Sequence, residues 1–191
     1  MAINLRKGGP GINLKKESPG LRDIKLGLGW DVREGQECDL DASALMLGAN
    51  EKLVNDESLV FFNNLKSSCG SVVHTGDNRT GEGEGDDEAI NVSLGQVPQN
   101  VKTILFTISC YPRKDGSHYH FGQVKNASVR LYDASSNTVL AEYDLTEDMS
   151  GYTSMEMAKM VRDGDDWKFS AIGAAVGKTT VGMEDLLTKY N

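Results

Sequence analysis

A chain of 191 residues with 39% hydrophobic content is long enough to bury a core without staples, and it is read as one domain spanning 1–191. Its net charge is −8, of which the run Asp77 to Glu88 carries −5 through six carboxylates set against Arg79. The remainder is nearly balanced, which excludes a general nucleic-acid binder with a basic face. No apolar stretch reaches the eighteen residues of a membrane span, and segment 1–20 lacks the apolar run of a secretory signal, so a cytoplasmic protein is expected. Cys38, Cys69 and Cys110 show no metal-type spacing and are read as free thiols, too scattered in sequence for a dithiol.

Period-two patterning dominates the chain. Ile24, Leu26, Leu28 and Trp30 alternate with Lys25, Gly27 and Gly29, giving a strand with one buried face. Cys38, Leu40, Ala42, Ala44 and Met46 alternate with Asp39, Asp41 and Ser43 in the same way. Leu59 to Phe62 and Thr103 to Ile108 are denser apolar runs, expected as inner strands covered on both faces. Val72-Val73 and Ile90 to Leu94 read as strands flanking the acidic run, and Ala127 to Leu131 as another. Met155 to Val161 and Trp167 to Ala171 are expected to form a hairpin about Asp163-Gly164, and Met183 to Tyr190 a helix. The fold class is therefore mainly β: a β-sandwich of two packed sheets with few short helices.

The chemistry lies in the acidic run. Asp77, Glu82, Glu84, Asp86, Asp87 and Glu88 fall within twelve residues, interleaved with Gly81, Gly83 and Gly85. Like charges at this density repel, and a hard divalent cation taking six to eight oxygens would offset them. An EF-hand is excluded, because its third and fifth loop positions would be Arg79 and Gly81 and the flanks read as strands. Asp31 follows Trp30, while Asp39 and Asp41 share one strand face opposite Leu40. These nine carboxylates exceed the needs of one cation, so two calcium ions sharing acidic ligands are expected. Magnesium demands tighter geometry, and zinc prefers the sulfur and nitrogen donors that the cluster lacks. The alternative is a solvated acidic loop.

Other motifs are weaker. Gly173 to Thr179 has one residue too few between its glycines for a phosphate loop and is expected to be a surface turn. His118 and His120 form a pair without a third ligand, and His74 reads as an anchoring or core histidine with no nucleophile beside it. Trp30 and Trp167 are expected in the core. Cys69 lies in a turn with no sequence neighbour that would activate it.

Several blocks together resemble a known family. Gly27-Leu28-Gly29-Trp30-Asp31, Asp39-Leu40-Asp41-Ala42-Ser43-Ala44, Phe62-Asn63-Asn64-Leu65-Lys66-Ser67 and the whole of His74 to Glu88 are similar to the TerD family of bacterial tellurium-resistance and stress-response proteins. Phe121-Gly122-Gln123-Val124 with Asn126-Ala127, and Asp165-Asp166-Trp167-Lys168-Phe169, fit its later blocks. The resemblance implies a cytoplasmic calcium-binding β-sandwich that is not an enzyme and serves metal-dependent sensing or interaction. It implies ligand roles for Asp31, Asp77, Glu82, Glu84, Asp86, Asp87 and Glu88; Asn78, Asp39 and Asp41 either ligate or order the loop by hydrogen bonding. It also implies protein partners in a stress-response complex, with any membrane association peripheral and through those partners. The chain departs from the family pattern at Cys38, where Phe is usual, at Arg79, where Leu is common, and through Cys110 to His120. A metal-dependent hydrolase, and a structural module with calcium as a staple, are the alternatives.

Overall fold

Alternating apolar and polar residues build two six-stranded sheets that pack face to face. The computed structural model describes residues 2–34, 38–76, 78, 85–113, 115–145, 150–177 and 182–191. The strands are β1 (Ile3–Asn4), β2 (Ile12–Asn13), β3 (Asp23–Val32), β4 (Leu40–Leu47), β5 (Leu59–Val60), β6 (Val72–His74), β7 (Glu88–Ser93), β8 (Thr103–Cys110), β9 (Val124–Asp133), β10 (Thr138–Asp144), β11 (Ser154–Asp163) and β12 (Asp166–Gly177). Among the described residues two short α-helices accompany them, α1 (Leu14–Glu17) and α2 (Gly182–Tyr190). The first sheet runs β1-β10-β9-β3-β7-β6 and the second β2-β12-β11-β8-β4-β5.

The inward rows form one core. Ile24, Leu26, Leu28 and Trp30 of β3 meet Leu40, Ala42 and Ala44 of β4 and Ile104, Phe106 and Ile108 of β8. The outer face of the second sheet is covered as well: Leu45, Leu47 and Leu105 pack with Leu59 and with Tyr190 of α2. That is why β8 reads as a continuous apolar run, and Thr103 to Ile108 is an inner strand as expected. Trp30 and Trp167 are both buried in the core. No helix among the described residues is long and apolar enough to cross a membrane.

Three expectations need correction. Leu59 to Phe62 is not an inner strand, because β5 stops after two residues and lies at the sheet edge beside β4. A tight turn ends it, with Phe61 and Asn64 exchanging backbone hydrogen bonds at 2.9 and 3.0 Å. Gly173 to Gly177 is not a surface turn, since β12 continues to Gly177 paired with β11. A register shift between Glu156 and Ala158 accompanies Gly173 at φ +61, and this bulge gives the glycine a strand role. Lys178 and Thr179 lie outside the described residues. Finally, the cysteines are not scattered in space: the fold brings Cys38 and Cys110 to 4.0 Å between sulfurs.

Candidate metal centre

The site starts from two outward positions of β3. Ile24, Leu26, Leu28 and Trp30 point into the core, so Gly27 and Gly29 face outward and leave a flat strip. The acidic chain lies on that strip. A Cβ at Gly27 would stand 2.2 Å from the Asp86 carboxylate, and one at Gly29 would stand 2.6 Å from the Gly85 carbonyl. Both glycines serve close approach of a neighbouring segment.

Cations flank Asp86. Lys25 Nζ lies 3.3 Å from Oδ2, Arg130 Nε lies 3.2 Å from Oδ1, and Arg130 Nη2 donates to the Gly85 carbonyl at 3.1 Å. The register explains the grouping: Lys25 faces Tyr132 and Gly27 faces Arg130 across β3 and β9. Lys25 also sits 3.9 Å over the Tyr132 ring. Burial, followed by a hydrogen bond to Asp86, pushes the Tyr132 phenol up to about 12. The sequence carried a signal for this cradle, since Lys25 and Arg130 occupy outward positions of alternating strands, but pairing was needed to bring them together.

Asp87 is tied to β3 and to Asn78. Its N–H donates to the Leu28 carbonyl at 2.8 Å, while its Oδ2 accepts the Trp30 N–H at 2.9 Å and its Oδ1 accepts from Asn78 Nδ2 at 3.1 Å. Burial, and then the neighbouring charges of Asp31 and Asp86, push its carboxyl up against the lowering effect of the Trp30 amide. Glu88 turns inward between the sheets and is 1% exposed. Its Oε2 accepts the Ala42 N–H at 2.7 Å and lies 3.4 Å from His74 Nε2; its Oε1 accepts the Asn78 N–H at 3.2 Å. His74 Nδ1 accepts the Gly76 N–H at 3.1 Å, which turns Nε2 towards Glu88. His74 is thus the anchoring histidine the sequence led us to expect.

The ends of the acidic run are clasped together. Thr75 N–H donates to the Ala89 carbonyl at 2.9 Å, and the Ala89 N–H returns to Thr75 Oγ1 at 3.2 Å. Asn78 ties this clasp to Asp87 and Glu88. Asp31, at the exposed end of β3, accepts from Asn126 Nδ2 at 2.6 Å.

Asp39 and Asp41 fall elsewhere. Leu40 and Ala42 face the core, so Asp41 occupies the outer face of the second sheet, whereas Asp86 lies on the outer face of the first. Two groups stand out among the described candidate carboxylates: Asp31 and Asp86 act on Asp87, while Asp39 and Asp41 act on Cys110. Asp77, Glu82 and Glu84 lie outside the described residues. Among the described residues, no three or more His, Cys, Asp or Glu side chains converge as a ready metal cage. The first group still fits a hard cation in kind: its donors are oxygens, and the Asp87 carboxylate carries like charges beside it that a cation would relieve. Of the other motifs, the exposed His120 serves a local turn, its N–H donating to Gln123 Oε1 at 3.0 Å.

Comparison with known proteins gives a consistent result. The TerD domain model matches residues 1–190. The chain is 46% identical over 175 residues to a protein named tellurium resistance protein TerD from an Alcaligenes species, covering 91% of this chain and 90% of that one. It is 43% identical over 177 residues to general stress protein 16U of Bacillus subtilis, covering 91% of each. Its fold is similar to the crystal structure of a homologue of telluride resistance protein from Streptomyces coelicolor, with a TM-score of 0.67, 23% identity and coverage of 85% and 93%. The chain belongs to the TerD domain family.

Proposed function

We propose that this protein is a calcium-binding stress-response protein associated with tellurite resistance, acting without catalysis as a metal-dependent sensing or interaction module in the cytoplasm. The observation that carries the reading is the placement of Asp87 against β3: its N–H donates to the Leu28 carbonyl at 2.8 Å and its Oδ2 accepts the Trp30 N–H at 2.9 Å, which brings the carboxylate beside Asp31. The names of the relatives at 46% and 43% identity support the stress and tellurium association.

Asp31 and Asp87 are the described oxygens that would hold calcium, with Asp77, Glu82 and Glu84 supplied by the rest of the run. Calcium bound there supplies positive charge against the carboxylates and stabilises the fold by linkage. Asp86 has a different task, because Lys25 and Arg130 already offset its charge and fix the chain across Gly27 and Gly29. Glu88 and Asn78 lock the base of the loop to both sheets. His74, the base nearest the run, has Nδ1 and Nε2 turned to Gly76 and Glu88 inside the fold, which favours the non-catalytic reading. The ordered loop is then a surface for protein partners.

The test is survival on tellurite of a sensitive host carrying the wild-type chain or Asp87→Asn. Protection by the wild type that is lost in the variant at equal protein level supports the reading. Equal protection by both overturns the role of the acidic site.

A further inference from the structure

We propose that Cys38 and Cys110 form a peroxide-oxidisable dithiol that closes into an intramolecular disulfide. The residues are 72 apart in sequence, yet their sulfurs lie 4.0 Å apart and share an S–H···S contact. Each is 3% exposed, and both belong to the main core. One buried cysteine is ordinary packing. Two with touching sulfurs at the end of a strand pair are chemically a unit.

The placement favours closure. Cys110 is the last residue of β8 and stands in register with Leu40, the first residue of β4. Cys38 precedes Leu40 by two and faces the same way, so the pair is a diagonal couple beyond the ladder's last rung. The Tyr111 N–H donates to the Asp39 carbonyl at 2.9 Å and ties the two strands together here. A disulfide needs its sulfurs at about 2.05 Å, so they have about 2 Å to close. Cys110 is held by its N–H on the Thr153 carbonyl at 2.8 Å. Cys38 lies outside the ladder and is the partner that moves.

The chemistry follows from the surroundings. Burial first, then the Cys38 contact and the charges of Asp41 and Asp39, keep the Cys110 thiol well above the ordinary range, so it stays protonated. Cys38, which lies outside the ladder and is the partner able to move, meets the oxidant first, and Cys110 is the resolving thiol. The Cys38 sulfur attacks one oxygen of hydrogen peroxide, the O–O bond breaks, and the departing hydroxide takes the Cys38 proton as water, leaving a sulfenic acid on Cys38. The Cys110 sulfur then attacks the Cys38 sulfur. The S–S bond forms, the S–O bond breaks, and the departing hydroxide takes the Cys110 proton as water. Two thiols lose two electrons and two protons, and one peroxide becomes two waters. A small uncharged oxidant suits a buried pair with two aspartates beside it. A leaving thiol of high pKa also makes the product slow to exchange. Cys69 takes no part, being exposed and hydrogen-bonded to Ser67 and Ser71 at 3.4 and 3.0 Å.

The test uses the full chain carrying Cys69→Ser, an exposed change that leaves the core intact. The folded protein is exposed to hydrogen peroxide, denatured, alkylated and weighed. The expected result is a species two hydrogens lighter that takes up no alkyl group, yields a peptide joining Cys38 to Cys110, and returns to two free thiols under strong reductant. With Cys110→Ser added, a sulfenic-acid trap should label Cys38. Both thiols remaining alkylatable, or being oxidised separately without a joined peptide, would overturn the proposal. So would a linkage that appears only in denatured protein.

Discussion

Glu88 of the first sheet accepts the backbone N–H of Ala42 in the second at 2.7 Å, joining the two layers where β4 has no strand partner for that amide. The same carboxylate accepts the Asn78 N–H at 3.2 Å and lies 3.4 Å from His74 Nε2, so the last residue of the acidic run is a structural rivet. Glu88→Ala leaves buried donors unpaired, and the expected loss is about 2–4 kcal/mol of stability. Urea unfolding in chelator measures this without any contribution from metal. A loss of only a few tenths would show that the bridge does not hold the layers.

The glycine strip makes a second prediction. Gly27→Ala puts a methyl 2.2 Å from the Asp86 carboxylate, pushing Asp86 off Lys25 and Arg130. The expected cost is about 1–3 kcal/mol, with weakened calcium binding. Gly95→Ala is the control, because a Cβ there meets nothing within 4 Å. Thermal unfolding of the two variants should differ clearly.

Alkaline titration tests the far side of the second sheet. Tyr190 donates to Glu156 at 2.7 Å, and burial followed by that acceptor raises its phenol from 10.0 to about 12. The folded state holds this proton more tightly than the unfolded chain does. The stabilisation is thus full below pH 10 and is lost as pH rises towards 12. Tyr132 and Tyr190 should each ionise well above pH 10, as late components of the ultraviolet absorbance titration. Tyr190→Phe should remove one late component.

The three thiols should separate by rate. Partial burial raises the Cys69 pKa, but hydrogen bonds with Ser67 and Ser71 more than offset this and lower it. Cys69 is also exposed, whereas Cys38 and Cys110 are buried. Iodoacetamide should modify Cys69 first, with two thiols lagging, and Ser71→Ala should slow that first step. Mass spectrometry of timed samples gives the order.

Local patterning made much of the fold legible. The alternation in Ile24 to Trp30 and the dense run Thr103 to Ile108 became β3 and β8, because side-chain period and two-sided burial are written residue by residue. β10 was not legible: a register shift between Val139 and Ala141 breaks its alternation. The chain segment of the site was readable as a charge run, and Gly27 with Gly29 as outward positions. The cradle of Lys25, Arg130 and Tyr132 depends on pairing between β3 and β9, about a hundred residues apart, and the division between Asp86 and Asp41 on opposite outer faces depends on how the two sheets pack. The meeting of Cys38 with Cys110 has the same origin, a register between β4 and β8 that no local spacing encodes.

Calorimetric titration of chelator-stripped protein with calcium, set beside magnesium and the Asp87→Asn variant, tests the central claim most directly. The account predicts calcium binding at about two sites, weak magnesium binding, and calcium affinity lowered at least tenfold in Asp87→Asn. No calcium heat in the wild type, or unchanged affinity in Asp87→Asn, would contradict it.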